Sequence, residues 1–305
     1  MTGKVPDLGP DKVSLGVTPT LWWNDDFPLI DIGIPFEQCV SEMALAGFQG
    51  CSIGHKYPAD PAVLKQALDL RGLKVSEPWV STYFTIGEKS RTEENFKRQL
   101  EFLKEVGGRD IVVAEFGLSS HLQPIPVFDH RPEFTDKQWD LLIGGLDDIG
   151  KLAADSEMRL CYHHHMGTGV QTAGDIDRLM AGTNPDHVHL LFDTGHLRFA
   201  GDDPLKTAEK HKQRIKHVHL KNVRQPVVEK VESGRLSFQE GILQGVFTVP
   251  GDPEGAIDFQ PILSTLGEAG YEGWLVVEAE QNPATAHPLA YAKMARRYLA
   301  EVLGW

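Results

Sequence analysis

The feature that most constrains the fold of this chain is a regular alternation of short apolar runs with amphipathic segments. The runs are rich in β-branched residues, and the segments between them carry helix start and stop signals. Eight strands are predicted: Val13–Val17, Gly50–Ile53, Leu73–Ser76, Asp110–Glu115, Arg159–His163, Val188–Asp193, Ile215–Leu220 and Trp274–Glu278. Eight helices are predicted: Pro35–Ala46, Pro61–Arg71, Thr92–Val106, Thr135–Ala154, Asp175–Met180, Pro204–His211, Phe259–Ala269 and Pro288–Leu303. This pattern predicts an α/β fold, a single (β/α)8 TIM barrel over residues 1–305.

The length of the chain does not by itself separate one barrel from two smaller domains. It has 305 residues, and a barrel takes about 250 residues or more. No apolar stretch approaches the roughly 18 residues of a membrane helix, and the N-terminus lacks an apolar signal core. We therefore expect a cytoplasmic protein with no membrane partner, and the sequence leaves a homo-oligomer open.

Charge and cysteine content exclude several classes of protein. The formal net charge is −13, and a negative surface repels nucleic acid, so we expect no nucleic-acid partner. The three cysteines, Cys39, Cys51 and Cys161, are odd in number and far apart. They predict buried thiols, neither a disulfide framework nor a thiolate zinc site.

Polar residues that are costly to bury lie at the C-terminal ends of the fourth to eighth predicted strands. They are Glu115; His163, His164 and His165; Asp193 with His196; His217 and His219 with Lys221; and Glu278 with Glu280. Barrel enzymes build their active sites at this end. Residues two apart in a strand share a face, so each strand sends at least one donor inward. Imidazole and carboxylate donors together predict a catalytic divalent cation such as Mn²⁺, Co²⁺ or Zn²⁺.

Each of these donors has a plainer interpretation when taken singly. A lone histidine is more often a hydrogen-bonded packing residue than a ligand. His187 and His189 have the same spacing but lie at the N-terminal end of a strand, where a structural role is expected. Asp193 before Thr-Gly-His also suits a turn that caps the next helix. Only the coincidence of donors on adjacent strand ends favours a metal site.

Other catalytic motifs are weak or missing. Gly167-Thr-Gly169-Val-Gln-Thr172 begins like a dinucleotide fingerprint, but Thr172 occupies the third glycine position, and we expect no NAD. The sequence has no GxxxxGK[ST] phosphate loop, no GxSxG elbow and no plausible cysteine nucleophile.

Two further segments bear on a substrate pocket. Trp22, Trp23 and Asn24 follow the first strand and are suited either to core packing or to flooring a sugar-like pocket. The stretch from about 221 to 258 is long and rich in proline and glycine, and we expect an irregular active-site loop whose part 244–252 closes over the pocket.

These residues resemble the sugar phosphate isomerase/epimerase superfamily, metal-dependent TIM barrels that include endonuclease-type members. The resemblance covers most of the chain and is specific because several strings occur together: Leu160–Thr168, Leu190–His196, Ile215–Lys221, Gly245–Asp252 and Tyr271–Gln281. Within the superfamily the chain looks most like the members that dehydrate keto-cyclitols.

The resemblance implies dehydration of 2-keto-myo-inositol (scyllo-inosose), a small polyhydroxylated ketone of inositol catabolism, with Mn²⁺ or Co²⁺ as cofactor and Zn²⁺ or Mg²⁺ as alternatives. Three of the usual metal ligands carry over as Asp193, His219 and Glu278. At the fourth position, where the superfamily has a glutamate, this chain has His163. Because epimerases of the superfamily use that glutamate as an acid/base residue, its loss disfavours two-base epimerisation.

The remaining strand-end residues are candidates for proton transfer and substrate binding. Lys221, His165 and Glu115 are the candidate catalytic groups, and the sequence does not choose among them. The residues expected to contact the substrate are Trp23, Asn24, His196 and Glu280. The competing functions are a metal-dependent ketose epimerase or sugar isomerase, an endonuclease disfavoured by the charge, and a carbohydrate-binding protein without activity.

Overall fold

The main sheet is built from parallel strands that neighbour one another almost in chain order. The computed structural model describes residue 5 and residues 7–305. The sheet has the order β3-β2-β1-β11-β8-β7-β6-β5-β4. The strands are β1 (Val13–Val17), β2 (Gly50–Cys51), β3 (Lys74–Val75), β4 (Trp79–Thr82), β5 (Asp110–Glu115), β6 (Arg159–His163), β7 (Val188–Asp193), β8 (Ile215–Leu220) and β11 (Gly273–Val277). Two more, β9 (Asn222–Val223) and β10 (Phe247–Thr248), form a separate antiparallel ribbon.

The two ends of this order close the sheet into a barrel. β3 and β4 are consecutive in the chain and are separated only by residues 76–78. The amide of Ser76 donates to Cys51 on one side, and the carbonyl of Pro78 accepts from Val112 on the other. β3 and β4 are therefore two pieces of one barrel strand, which gives the eight strands of a TIM barrel and confirms the predicted fold.

Helices surround the barrel and bury their apolar faces against it. They are α1 (Phe36–Ala46), α2 (Pro61–Asp69), α3 (Lys89–Val106), α4 (Asp136–Ala154), α5 (Ala173–Gly182), α6 (Thr194–Phe199), α7 (Pro204–His211), α8 (Gln225–Ser233), α9 (Phe238–Leu243), α10 (Phe259–Glu268) and α11 (Pro288–Leu303). One large apolar cluster fills the layer between barrel and helices. A small second cluster, Val112, Cys161 and Leu191, is separate from it. These three residues project into the barrel lumen, as the position of Val112 in the wall of the pocket indicates.

Two predicted boundaries differ from the observed ones by three residues or more. The third strand was expected to end at Ser76, but it resumes as β4 after Pro78, a residue that cannot donate a ladder hydrogen bond and so obscures the pattern. α3 begins one turn before the expected Thr92, whose hydroxyl donates to the carbonyl of Glu88 from inside the helix.

The segment 221–258 is not the irregular stretch that its glycines and prolines suggested. It contains α8, α9 and the β9–β10 ribbon. Ser237 and Glu240 form a capping box at the start of α9, a local signal that the composition of the segment hid.

All three cysteines are buried and free, as predicted. Among the described residues, none of the helices is both long and apolar enough to cross a bilayer.

Two glycines of α4 provide a test of the packing between helix and barrel. A Cβ at Gly150 would lie 2.6 Å from the backbone oxygen of His187, whereas a Cβ at Gly144 would meet no atom within 4 Å. Gly150→Ala should destabilise the fold by about 1–3 kcal/mol through overpacking. Gly144→Ala should stabilise it by roughly 0.5–1 kcal/mol through helix propensity. Urea unfolding of both variants measures the difference, and equal midpoints would contradict the close approach.

Candidate active site

Four predicted residues converge at the C-terminal end of the barrel. His163 ends β6, Asp193 ends β7, His219 lies in β8 and Glu278 directly follows β11. One donor atom from each lies within 4.8 Å of those from the other three. His163 Nε2 is 3.4 Å from Asp193 Oδ2, and His219 Nδ1 is 2.5 Å from Glu278 Oε2. We call these four residues the quartet.

The facing atoms of the quartet lack hydrogen bonds. Within residues 5 and 7–305, no hydrogen bond reaches either ring nitrogen of His163, Asp193 Oδ2, His219 Nδ1 or Glu278 Oε2. Buried polar atoms are normally satisfied, so such a group needs an explanation. Two imidazoles and two carboxylates that point at one another form a donor set suited to a divalent cation of the Mn²⁺, Co²⁺ or Zn²⁺ kind.

Neighbouring groups hold two of the quartet residues, Asp193 and His219, in place. Asp193 caps α6, since its Oδ1 accepts from the His196 amide at 2.8 Å, and this leaves Oδ2 for the quartet. The two interpretations of Asp193, a helix cap and a metal ligand, are therefore compatible. Burial alone would raise the pKa of Asp193, but Lys221 and the neighbouring histidines together outweigh burial and hold that pKa well below its usual range. His219 Nε2 lies 3.2 Å from Glu77 Oε1.

A second cluster lies beside the quartet and consists of His165, His196, Lys221 and Glu280. The Lys221 ammonium is fully buried, 2.7 Å from both Glu280 Oε2 and His196 Nε2. It also lies 3.5 Å from Asp193 Oδ2. Burial alone would lower the pKa of Lys221, but Asp193, Glu278 and Glu280 raise it above the ordinary value. Lys221 is thus a charged ammonium here, which argues against its role as a base.

His165 and Glu280 are the two members of this cluster that face the pocket. His165 Nδ1 lies 2.8 Å from the carbonyl of Met166. Because a carbonyl only accepts, Nδ1 carries the proton and Nε2 presents a lone pair. Burial lowers the pKa of His165 well below 6.5, and burial raises the pKa of Glu280 to about 7.

The pocket over the quartet has two different walls. His163, His165, His219, Glu278 and Glu280 line one side. Residues after the first two strands line the other, among them Thr20, Asn24, Asp25, Asp26 and Ser52. No lysine or arginine is among the residues that line it in the described part of the chain.

Five predicted site residues lie outside this pocket lining: Asp193 and Lys221, described above, and Trp23, His196 and Glu115. Trp23 is buried, and its indole Nε1 donates to Asp25 Oδ1 at 2.9 Å, so it supports the wall from behind. His196 is buried behind His165, with the two ring centroids 3.8 Å apart. Glu115 is not brought to the cluster. Its carboxylate accepts hydrogen bonds that organise the turn after β4, from Thr82, Phe84, Thr85 and Gly117.

Sequence reasoning missed Glu77, Asp25 and Asp26. Glu77 directly follows the predicted third strand and is an acidic strand-end residue like those that were singled out. Burial would raise the pKa of Glu77, but His217 and His219 lower it to about 2. The two aspartates follow Asn24 directly, and only their position in the fold shows that they line the pocket.

Two aromatic residues of segment 221–258 back the second cluster. The Phe247 ring lies 4.7 Å from Lys221 Nζ and 5.4 Å from the His196 ring. The ring of Phe238 lies 5.4 Å from that of His165. Apolar neighbours exclude water from Lys221 and strengthen its contacts with the surrounding carboxylates.

Comparison with known proteins decides the family. Residues 33–302 match the xylose isomerase-like TIM-barrel family. The inosose dehydratase of Geobacillus thermodenitrificans (strain NG80-2) is 53% identical over 295 residues, which cover 96% of this chain and 98% of that protein. The inosose dehydratase of Clostridium beijerinckii (strain ATCC 51743 / NCIMB 8052) is 48% identical over 299 residues, which cover 98% and 100%. The chain belongs to the xylose isomerase-like TIM-barrel family, among the inosose dehydratases. The resemblance inferred from the sequence is confirmed.

Solved structures share the fold at low sequence identity. The IolI protein with a bound zinc atom superposes with a TM-score of 0.71 at 15% identity, covering 95% of this chain and 98% of that one. The probable 3-DHS dehydratase AsbF from Bacillus anthracis has a TM-score of 0.68 at 13% identity, covering 94% and 98%.

Glu278 and Glu280 form a matched pair of variants that separates metal binding from chemistry. They lie two residues apart, but Glu278 faces the quartet and Glu280 faces Lys221. Glu278→Gln should lower the occupancy of a divalent cation because it removes a donor, while Glu280→Gln should keep the cation and lose turnover. Metal analysis of the purified variants measures occupancy. Loss of the cation in Glu280→Gln alone would place the metal in the neighbouring cluster.

Proposed function

We propose that the protein is a metal-dependent hydro-lyase that removes water from a keto-cyclitol, 2-keto-myo-inositol (scyllo-inosose), in inositol catabolism. The observation that carries this proposal is the quartet, whose facing atoms lack hydrogen bonds at the floor of a pocket rich in hydroxyl-binding groups. The similarity to inosose dehydratases over 96% of the chain supports the choice of substrate.

His163, Asp193, His219 and Glu278 are the residues that would hold the cation, for which we propose Mn²⁺ or Co²⁺. When bound, such an ion supplies Lewis-acid stabilisation of an enolate oxygen. The donor set contains no sulfur, which favours a hard or borderline ion.

The opposite wall of the pocket matches a neutral, polyhydroxylated ring. Hydroxyls, an amide and the carboxylates of Asp25 and Asp26 offer acceptors and donors for sugar-type hydroxyls. The absence of lysine and arginine from the described lining residues disfavours a phosphorylated sugar or a nucleic acid.

His165 is the proposed general base. Its Nε2 carries a lone pair, and the lowered pKa keeps the ring neutral near pH 7. It takes the proton from the carbon next to the ketone, and the electron pair of that C–H bond forms the double bond of the enolate.

Glu280 is the proposed general acid. Its pKa of about 7 leaves a substantial protonated fraction near neutrality. As the β-carbon–oxygen bond breaks, Glu280 donates its proton to the departing hydroxyl, and water is the second product. Glu280 Oε1 lies 3.9 Å from His165 Nε2, so a movement of under about 1 Å brings the two atoms into hydrogen-bond distance, and the proton taken by His165 then returns to Glu280 and restores both groups.

Lys221 supports this pair as a fixed positive charge. It lies 2.7 Å from Glu280 and 3.4 Å from Glu278, and it stabilises Glu280 once the carboxyl has lost its proton. Glu115 has no part in this scheme, since its oxygens are committed to the turn after β4.

The proposal also covers the domain organisation and the cellular location of the protein. We assign residues 1–305 to one cytoplasmic domain in which segment 221–258 is the active-site loop. Phe238 and Phe247 of this segment contact the second cluster, which supports a place for the segment beside the active site. Closure of 244–252 over the substrate stays a prediction.

Chelation and product analysis test the reaction. Removal of divalent cations should abolish turnover of scyllo-inosose, and Mn²⁺ or Co²⁺ should restore it, because enolate formation lacks its electrophile without them. A conjugated, ultraviolet-absorbing product should form without NAD(P). Full activity after complete demetallation would contradict the metal role. A product that retains every oxygen of the substrate would identify an isomerase or epimerase instead.

His165→Asn tests the base. Loss of the Nε2 lone pair should lower kcat by roughly 10²-fold or more with a smaller effect on KM. In the wild type, kcat/KM should fall on the acid side only below pH 6.5, because burial lowers the pKa of His165 from that value. The variant should lose this acid limb. His189→Asn, at the opposite end of the barrel, is the control and should keep both kcat and the pH profile. An unchanged acid limb in His165→Asn would assign the base to another group.

A further inference from the structure

The lumen of this barrel contains buried charged and polar residues below the quartet. TIM-barrel interiors are normally filled by layers of branched aliphatic side chains. Here Val112, Cys161 and Leu191 provide only one apolar group. Glu77, Asp110 and His217, which are 3%, 0% and 0% exposed, lie below the quartet. Burying charges costs free energy unless the charges are paired, so the contacts among these residues need a physical explanation.

These charges form a continuous chain of contacts that ends at the quartet. Arg159 Nε lies 2.6 Å from Asp110 Oδ1, and Arg159 binds both carboxylate oxygens. Asp110 Oδ2 lies 3.0 Å from His217 Nδ1. His217 Nε2 is 3.2 Å from Glu77 Oε2, and Glu77 Oε1 is 3.2 Å from His219 Nε2. The chain thus begins near the N-terminal end of β6 and reaches a candidate metal ligand.

We propose that Glu77 is a positioning residue for the candidate metal centre, which fixes the ring orientation and tautomer of His219 and is itself held by His217 and Asp110. This inference rests on the proposed function only in its assumption that the quartet binds a divalent cation.

The direction of the hydrogen bond decides the tautomer. A carboxylate has only acceptors, so His219 Nε2 must donate to Glu77. Nδ1 is then the ring atom that offers its lone pair to a cation. Nδ1 is also the atom that faces the quartet, at 2.5 Å from Glu278 Oε2 and 3.7 Å from Asp193 Oδ2.

The lower part of the chain explains why Glu77 stays in place. A carboxylate in the lumen bears a desolvation cost unless polar or charged groups lie close to it. His217 Nε2 lies 3.2 Å from the second oxygen of Glu77 as an ion-pair contact, and Asp110 with Arg159 fixes His217 from the other side. Two elements that carry no quartet residue, the link between β3 and β4 and strand β5, therefore contribute to the position of His219, together with the start of β6.

Glu77, His217 and His219 also lie close enough to form a cation site of their own. Two of their nitrogens are instead engaged by carboxylates, His217 Nδ1 by Asp110 and His219 Nε2 by Glu77. The positioning role accounts for both contacts, and a second cation is an outcome that the stoichiometry of binding detects.

The test measures Co²⁺ binding without substrate. Glu77→Gln should weaken the affinity for Co²⁺ by about 10–100-fold, measured by competition with a chromophoric chelator, and should change the visible absorption of bound Co²⁺. Glu115→Gln is the matched control, because Glu115 is an equally buried strand-end carboxylate that does not contact the quartet. It should keep the wild-type affinity and Co²⁺ spectrum even if it lowers the melting temperature.

A second variant keeps the test decisive if Glu77→Gln does not fold. His217→Gln keeps both Glu77 and His219. Its Co²⁺ affinity should lie between that of the wild type and that of Glu77→Gln. If Glu77→Gln does not fold, the affinity of His217→Gln should still be lower than that of the wild type. Wild-type affinity in either folded variant would overturn the positioning role whatever the turnover. Two Co²⁺ ions per chain, or none in the wild type, would overturn it as well. If the variants bind Co²⁺ more weakly but the wild-type protein does not dehydrate scyllo-inosose, the proposed function is refuted and the positioning role of Glu77 is retained.

Discussion

The parallel register of the barrel strands is the constraint on which the site depends. Asp193 of β7 is paired in register with His219 of β8, and His219 with Val276 of β11, two residues before Glu278. Because all strands run the same way, the last residues of each meet at one end, and the lumen excludes water from them. The hydrogen-bond ladder therefore assembles the quartet from residues that are up to 115 positions apart in the chain.

The site has two electrostatic parts with different tasks. The quartet gathers carboxylate and imidazole donors that face inward without hydrogen bonds, and the structure gains little from such a group unless a cation joins it. The neighbouring cluster contains its own cation, since Lys221 compensates the negative charge of Glu280. Lys221 also lies 3.5 Å from Asp193 and 3.4 Å from Glu278, so its charge acts on the carboxylates of both parts.

The sequence predicted the parts of the molecule in which local pattern and position agree. β5, β6, β7 and β8 have the expected bounds because no proline or glycine interrupts them and both their faces are covered. The donors of the quartet were visible as strand-end residues. β4 was missed because Pro78 and Glu77 interrupt the run, and α8 and α9 because prolines and glycines concealed their caps. Glu77 meets His219 across 142 positions of sequence, and no local pattern predicts such a contact.

Because the charged contacts in the lumen are buried, salt should affect them less than it affects the ion pairs on the protein surface. Surface pairs such as Lys65 with Asp69 are about half exposed, and dissolved ions screen them. The contacts among Arg159, Asp110, His217 and Glu77 lie where mobile ions have little access. High ionic strength therefore weakens the surface ion pairs but leaves the contacts among these four lumen residues in place. The geometry of the site depends little on the salt concentration of the solution.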